Sequence, residues 1–208
     1  MIKIYLLDFS GAEADNFSTS ALPSFILETK NGKLRRERIF SYLLLSHAYC
    51  ENFNLPMPDI ERDENGKPYF ALGSVRFNLS HTDNLAAVII SDEGDVGIDV
   101  QKVSPRVSEG LMEKVEKSPL IMEKSETLTE PNFLRAEGDR LLPNEPDFSC
   151  GNETSFFRKW TEREALAKAD GVGLSLLSKI LAEDFILISE GVLKIDRDKY
   201  FFSAVKKK

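Results

Sequence analysis

Apolar positions along the chain fall into two regimes, short continuous runs and stretches with a four-residue recurrence, and their order predicts a mixed α and β protein. Ile2–Asp8 is a β-branched and aliphatic run that stops at Phe9-Ser10-Gly11, the pattern of a buried strand closed by a turn. The pairs Ile39/Leu43 and Phe40/Leu44 predict a helix over residues 34–53, with Leu55-Pro56 at its exit. Asn65-Gly66-Lys67-Pro68 reads as a turn, followed by strands over 69–70 and 75–79 that lead into Ser80-His81-Thr82-Asp83. Leu85–Ser91 and residues 96–100, joined by Asp92-Glu93-Gly94-Asp95, are expected to form a hairpin. A second helix over 156–169 ends at Asp170-Gly171-Val172-Gly173. Strands over 185–188 and 192–195 follow, with Ser189-Glu190-Gly191 as their turn and Lys206-Lys207-Lys208 as a frayed tail. Residues 103–155 hold Pro105, Pro119, Pro131, Pro143 and Pro146 with little periodicity, and are expected as an insertion or mobile flap. A helix and short strands on each side of residue 100 give the chain a weak bipartite look.

Composition narrows the function classes. Across 208 residues there are 27 Lys and Arg against 34 Asp and Glu, a net charge of -7, which argues against a dedicated nucleic-acid binder. The longest apolar run is 85–90, far short of the roughly 20 residues that span a bilayer, and the N-terminus has no basic region followed by a hydrophobic stretch. No membrane partner is expected. The two cysteines, Cys50 and Cys150, form no Cys-x-x-Cys pair, a usage that fits a reducing cytoplasm. Against the acidic whole, Lys30, Lys33, Arg35, Arg36 and Arg38 crowd the start of the first helix with Glu37 as the single acid. Cations there oppose the helix dipole, which makes the cluster either a phosphate contact or a solvated surface run.

Glycine-rich nucleotide loops, the Gly-x-Ser-x-Gly elbow and His-Glu-x-x-His are absent, and with only His47 and His81 a histidine-built metal site is excluded. Carboxylates must then carry any metal chemistry, and oxygen ligands point to Mg²⁺ or Mn²⁺. On a strand over 96–101, Gly97, Asp99 and Gln101 share one face while Ile98 and Val100 share the other. Gly97 would let a bulky ligand approach the backbone beside Asp99; the alternative is an edge-strand Asp facing water. On the second helix Trp160, Glu164 and Lys168 stand at four-residue steps, an arrangement that is either a site or ordinary surface pairing. Taken together, Asp99 and Glu164 could hold one metal ion, with Lys168, His81, Lys67 and Arg38 neutralising a diphosphate around it.

The order of these motifs resembles the 4′-phosphopantetheinyl transferases of the surfactin-synthetase-activating (Sfp) type. Gly66-Lys67-Pro68, Phe77-Asn78-Leu79-Ser80-His81, Val96-Gly97-Ile98-Asp99-Val100, Trp160-Thr161-Glu162-Arg163-Glu164-Ala165 with Lys168, and Gly171-Val172-Gly173-Leu174 carry the resemblance, which runs from about Arg35 to Leu174. It implies an α+β fold, a pseudo-twofold monomer of two similar halves, 1–100 and 101–208, each a small antiparallel sheet on a helix, with coenzyme A in the cleft between them. It implies transfer of the phosphopantetheine arm of coenzyme A to a serine of an acyl or peptidyl carrier protein, with adenosine 3′,5′-bisphosphate released. By motif position Asp99, Glu164 and, as a weaker oxygen, Gln101 would hold Mg²⁺. Glu164 would take the serine proton, Lys168 would face the diphosphate, Ser80-His81 would meet the 3′-phosphate, and Lys67 and one arginine near the first helix would hold phosphates, Arg38 matching best while Arg35 and Arg36 stay open as other registers. Gln101 departs from the acidic third ligand of many relatives, and Arg163 replaces a Lys. The stretch 103–155 is longer than the family leads one to expect, and repels an acidic carrier unless Lys114, Lys117 and Lys124 are presented. Two alternatives stay open, a noncatalytic coenzyme A or carrier-binding module and a Mg²⁺-dependent diphosphate hydrolase.

Overall fold

The run Ile2–Asp8 becomes strand β1, and its surroundings explain why both of its faces are apolar. In a computed structural model, which describes residues 1–14, 22–104, 107, 109–116, 120, 122–145, 147–148, 155–172 and 181–208, β1 lies at the centre of a five-stranded sheet. The order is β4 (Arg76–Thr82), β5 (Leu85–Ser91), β1, β8 (Asn132–Glu137) and β9 (Arg140–Pro143). A second sheet runs β10 (Asp147–Phe148), β11 (Phe185–Ile195), β12 (Asp198–Lys207) and β6 (Val96–Lys102), with β7 (Glu123–Lys124) paired to β11. Strands β2 (Ile60–Arg62) and β3 (Pro68–Phe70) form a separate small ladder.

Helix α1 (Ser24–Leu27) is a single turn. Helix α2 (Gly32–Phe53) covers one face of the first sheet, where Phe40, Leu44 and Leu45 pack on Tyr5, Leu7 and Val88. The alternate residues Ile4 and Leu6 point the other way, into an inter-sheet core with Ile98, Val100, Leu193 and Phe202. After α3 (Glu109–Glu116), helix α4 (Ser155–Asp170) closes the far side of the second sheet through Ala165, Leu166 and Ala169 against Phe185, Leu187 and Val205. The fold is α+β, two sheets stacked between two helices, and central strands buried on both faces read as unbroken apolar runs.

The first long helix begins two residues earlier than its periodicity suggests. Asn31 caps it by accepting the Leu34 N–H at 3.0 Å, and Asn54 ends it with φ 51°. The hairpin expected from 85–91 and 96–100 does not form. Strand β5 already has β1 and β4 on its two edges, so the chain crosses to the other sheet and β6 pairs with β12. Nor is 103–155 a flap throughout, because β8 pairs in parallel with β1, buries Leu134 and Ala136 beneath α2, and makes the first sheet mixed rather than antiparallel. The two strands expected over 185–195 are one strand with a register shift between Leu187 and Ser189. The lysine tail is held too: β12 runs through Lys207, whose ammonium lies 2.7 Å from Asp170, and Lys208 lies 2.7 Å from Glu123.

Candidate active site

Strand β6 is the edge of the second sheet, so its free N–H groups need partners from elsewhere. Side chains of β4 supply them. Asn78 Oδ1 accepts the Ile98 N–H at 3.0 Å, and Ser80 Oγ accepts the Val100 N–H at 3.2 Å. On the other face of β6, α4 lies so close that a Cβ on Gly97 would sit 2.0 Å from the Ala165 carbonyl oxygen and 2.6 Å from the Ala169 nitrogen. The glycine therefore admits a helix rather than a ligand, which corrects the expectation from its place in the strand. Sequence alternation holds: Ile98 and Val100 enter the core, while Asp99 takes the face toward α4.

That close approach delivers Lys168 onto Asp99. Lys168 Nζ donates to Asp99 Oδ1 at 2.6 Å, to Ser80 Oγ at 2.9 Å and to the Ile98 carbonyl at 3.3 Å. Ser80 donates to the same Asp99 oxygen at 2.9 Å, and Gln101 Nε2 donates to Asp99 Oδ2 at 3.1 Å. The Asp99 side chain is 2% exposed, so this pair is hidden beneath Lys168, itself 27% exposed. One turn before Lys168, the Glu164 carboxyl is pushed up to about 7 by burial and by the charge of Asp99, against the pull of Lys168. A carboxyl that titrates near neutrality beside a buried ion pair can take up and release a proton at working pH.

Beside this junction two hollows share Pro68 and Leu79. One, about 290 Å³, runs past Lys67, Asn78, Lys168 and Gly171; the other, about 200 Å³, is lined by Arg38, Tyr42, Arg62 and His81. Burial, with the charges of Lys168 and Arg38, lowers the His81 imidazole to about 4 against the opposing pull of Asp99. Lys67 donates to the Ala169 carbonyl at 2.8 Å, near the end of α4, and burial lowers its ammonium from the usual value. Arg38 lines the cavity and donates to Thr29 Oγ1 at 2.9 Å. Arg36 is engaged differently, with Asn84 Oδ1 at 2.9 Å, the Phe9 and Ala12 carbonyls at 2.5 and 2.9 Å, and the rings of Phe9 and Phe40 beneath its guanidinium.

No protein-family profile matches the chain. Among curated proteins it is similar to the 4′-phosphopantetheinyl transferase AcpT of Escherichia coli (strain K12), 32% identical over 161 residues that cover 76% of this chain and 70% of that one. AcpT of Salmonella typhi is 28% identical over 161 residues, 76% of this chain and 71% of the relative. HetI of Nostoc, also named a 4′-phosphopantetheinyl transferase, is 33% identical over 124 residues, 57% of this chain and 44% of its own. The chain belongs to the 4′-phosphopantetheinyl transferase family.

As a transferase of this family, the protein gathers most of the residues singled out by motif. Asp99, Gln101, Lys168 and Ser80 are in direct contact, and Glu164 is close enough to feel the charges of Asp99 and Lys168. His81 and Arg38 share the smaller hollow, and Lys67 lies on the larger one. Gly173, Leu174, Lys117 and Cys150 lie outside the described residues. Among the described residues no three His, Cys, Asp or Glu side chains are grouped to hold a metal ion. The donor chemistry nevertheless fits a hard divalent cation, because Asp99 and Glu164 offer carboxylate oxygens and Gln101 an amide oxygen. Residue-by-residue reading missed Asn78, whose carboxamide pins β4 to β6, and Glu37, buried beside His81; the one signal for Glu37 is its place as the lone acid in a basic run.

Proposed function

We propose that the protein transfers the 4′-phosphopantetheine arm of coenzyme A to a serine hydroxyl of an acyl or peptidyl carrier protein and releases adenosine 3′,5′-bisphosphate. The observation that carries this reading is the junction at the end of the paired hollows: buried Asp99 bound to Lys168, with Glu164 poised near neutrality beside them. Coenzyme A lies along those hollows between the halves 1–100 and 101–208. Its nucleotide phosphates face Arg38 and His81, with Lys67 further along and Ser80 at the junction.

The serine oxygen forms a bond to the phosphorus that carries pantetheine, and the diphosphate P–O bond to the adenosine phosphate breaks with its electron pair on that phosphate. Glu164, in its ionised form, takes the serine proton, and its neutral-range carboxyl makes it a stronger base than an ordinary carboxylate. Lys168 turns from Asp99 to the diphosphate as charge grows on the leaving group, and the remaining acceleration is positioning and charge neutralisation. Asp99, Glu164 and the amide oxygen of Gln101 would hold Mg²⁺ or Mn²⁺, which supplies charge neutralisation at the diphosphate. The protein works as a monomer in the cytoplasm.

The test is intact-mass spectrometry of a panel of apo carrier proteins incubated with this protein, coenzyme A and Mg²⁺, with and without chelator. A gain of one phosphopantetheine that chelator removes is the expected result. A stable complex with no mass gain would instead make it a binding module, and phosphopantetheine freed without an acceptor would make it a diphosphate hydrolase.

A further inference from the structure

Helix α2 begins in a basic run with a single acid, Glu37, and the structure buries that acid. Its side chain is 9% exposed, with Oε2 3.3 Å from His81 Nδ1 and Oε1 3.9 Å from Lys33. Burial raises that carboxyl above its ordinary range, against the charges of Lys33 and Arg36. Lys33 is the strongest of those opposing charges, but it is 66% exposed and bound to Asp83 at 2.6 Å, so Glu37 shares it. A buried carboxylate is disfavoured unless something uses its acceptors. The feature that calls for a carboxylate is the imidazole.

An imidazole has two nitrogens, and the partner of one decides which tautomer the ring adopts. With Nδ1 against Glu37, Nε2 is the nitrogen left for the cavity that Arg38, Tyr42 and Leu79 share with His81. The charged groups around the ring are Glu37 and Arg38 on α2, Lys168 on α4 and Asp99 on β6, so three separate elements set its surroundings.

We propose that Glu37 is a positioning residue: it faces His81 Nδ1, so that Nε2, protonated as the anionic ligand enters, donates a hydrogen bond to a phosphate monoester of the nucleotide in the Arg38 cavity. This rests on the reading of His81 as a contact for the 3′-phosphate of coenzyme A. The arrangement matches the way carboxylates orient histidines at metal sites, where losing the carboxylate typically weakens binding 10–100-fold.

The experiment is titration calorimetry without carrier protein, comparing coenzyme A with 3′-dephospho-coenzyme A. The wild-type protein should prefer coenzyme A, and His81→Ala should lose most of that preference. Glu37→Ala should reduce the preference about tenfold, leave the affinity for the dephospho compound unchanged, and add nothing when combined with His81→Ala. A preference that survives in Glu37→Ala, or increases through relief of repulsion, overturns the positioning role while leaving His81 as a ligand. A wild type without preference, or an indifferent His81→Ala, removes the underlying phosphate contact and the proposal with it. Imidazole ¹⁵N shifts of the unmutated protein give a second check that requires no variant to fold. His81 should be protonated at Nδ1 alone at neutral pH without ligand and at both nitrogens with coenzyme A bound; protonation at Nε2 alone without ligand, or a ring that stays neutral in the complex, overturns the proposal.

Discussion

Helices α2 and α4 each lie on a five-stranded sheet, and each presents a long cation to a buried junction, yet the two junctions are built oppositely. Arg36 on α2 is surrounded by neutral oxygens of its own region, the Phe9 and Ala12 carbonyls and the Asn84 carboxamide, and its guanidinium lies over Phe9 and Phe40. Lys168 on α4 reaches across to a carboxylate of β6, a hydroxyl of β4 and one carbonyl. Removing Arg36 from its place would strand several acceptors and two aromatic faces, whereas Lys168 can exchange one anion for another while Ser80 and Gln101 keep Asp99 hydrogen-bonded. A cation tied to neutral oxygens is architecture; a cation paired with an exchangeable anion at a groove is chemistry.

The sharpest way to break that contrast is Asp99→Ala, which removes the anion that Lys168 serves. Carrier modification should fall about 10³-fold in single-turnover mass spectrometry, with the far-ultraviolet circular dichroism unchanged. Next in size, Glu164→Gln should slow transfer about 10²-fold. In the unmutated protein the rate should rise with pH through a midpoint near 7 at limiting Mg²⁺, because the base must be ionised to accept the serine proton and burial holds it protonated below that pH. The acid limb should vanish in the Gln variant; its persistence would assign the proton to another group.

Gly97→Ala probes how α4 is seated. A methyl at 2.0 Å from the Ala165 carbonyl must push α4 away from β6, and thermal unfolding should report a loss of about 1–3 kcal/mol with slower transfer. The smallest effects come from a matched pair on α2. Arg36→Lys should lower stability by about 1–2 kcal/mol with coenzyme A affinity intact, and Arg38→Lys should weaken coenzyme A binding with stability intact. The reverse assignment would show that the two arginines exchange roles.

How much of this was legible beforehand depended on the range of the interaction. β1 was readable as a short apolar run closed by a turn and α2 by its four-residue recurrence, and the alternation of 96–101 put Asp99 on its true face. The supposed hairpin of 85–91 and 96–100 misled because a strand apolar on both faces does not say which sheet its neighbour joins. β8 was hidden in a proline-dotted, acidic stretch, since its reason for being a strand lies more than a hundred residues away on β1. Gly97 carried a true signal of close approach, but nothing local distinguishes a helix backbone from a ligand. Lys67 was expected to face phosphate, and its bond to Ala169 joins residues 102 positions apart.

The sequence by itself determined the kinds of elements, the charge contrast between a basic helix start and an acidic whole, and the motif order that resembles this family, because each is written within a few turns of chain. Only the tertiary structure decided that Asp99 is hidden, that Gln101 gives it an N–H, that Glu164 titrates near 7 and that Glu37 turns inward to His81. Desolvation and Coulomb forces depend on what surrounds a group in space, and those surroundings come from strands and helices far apart in the chain.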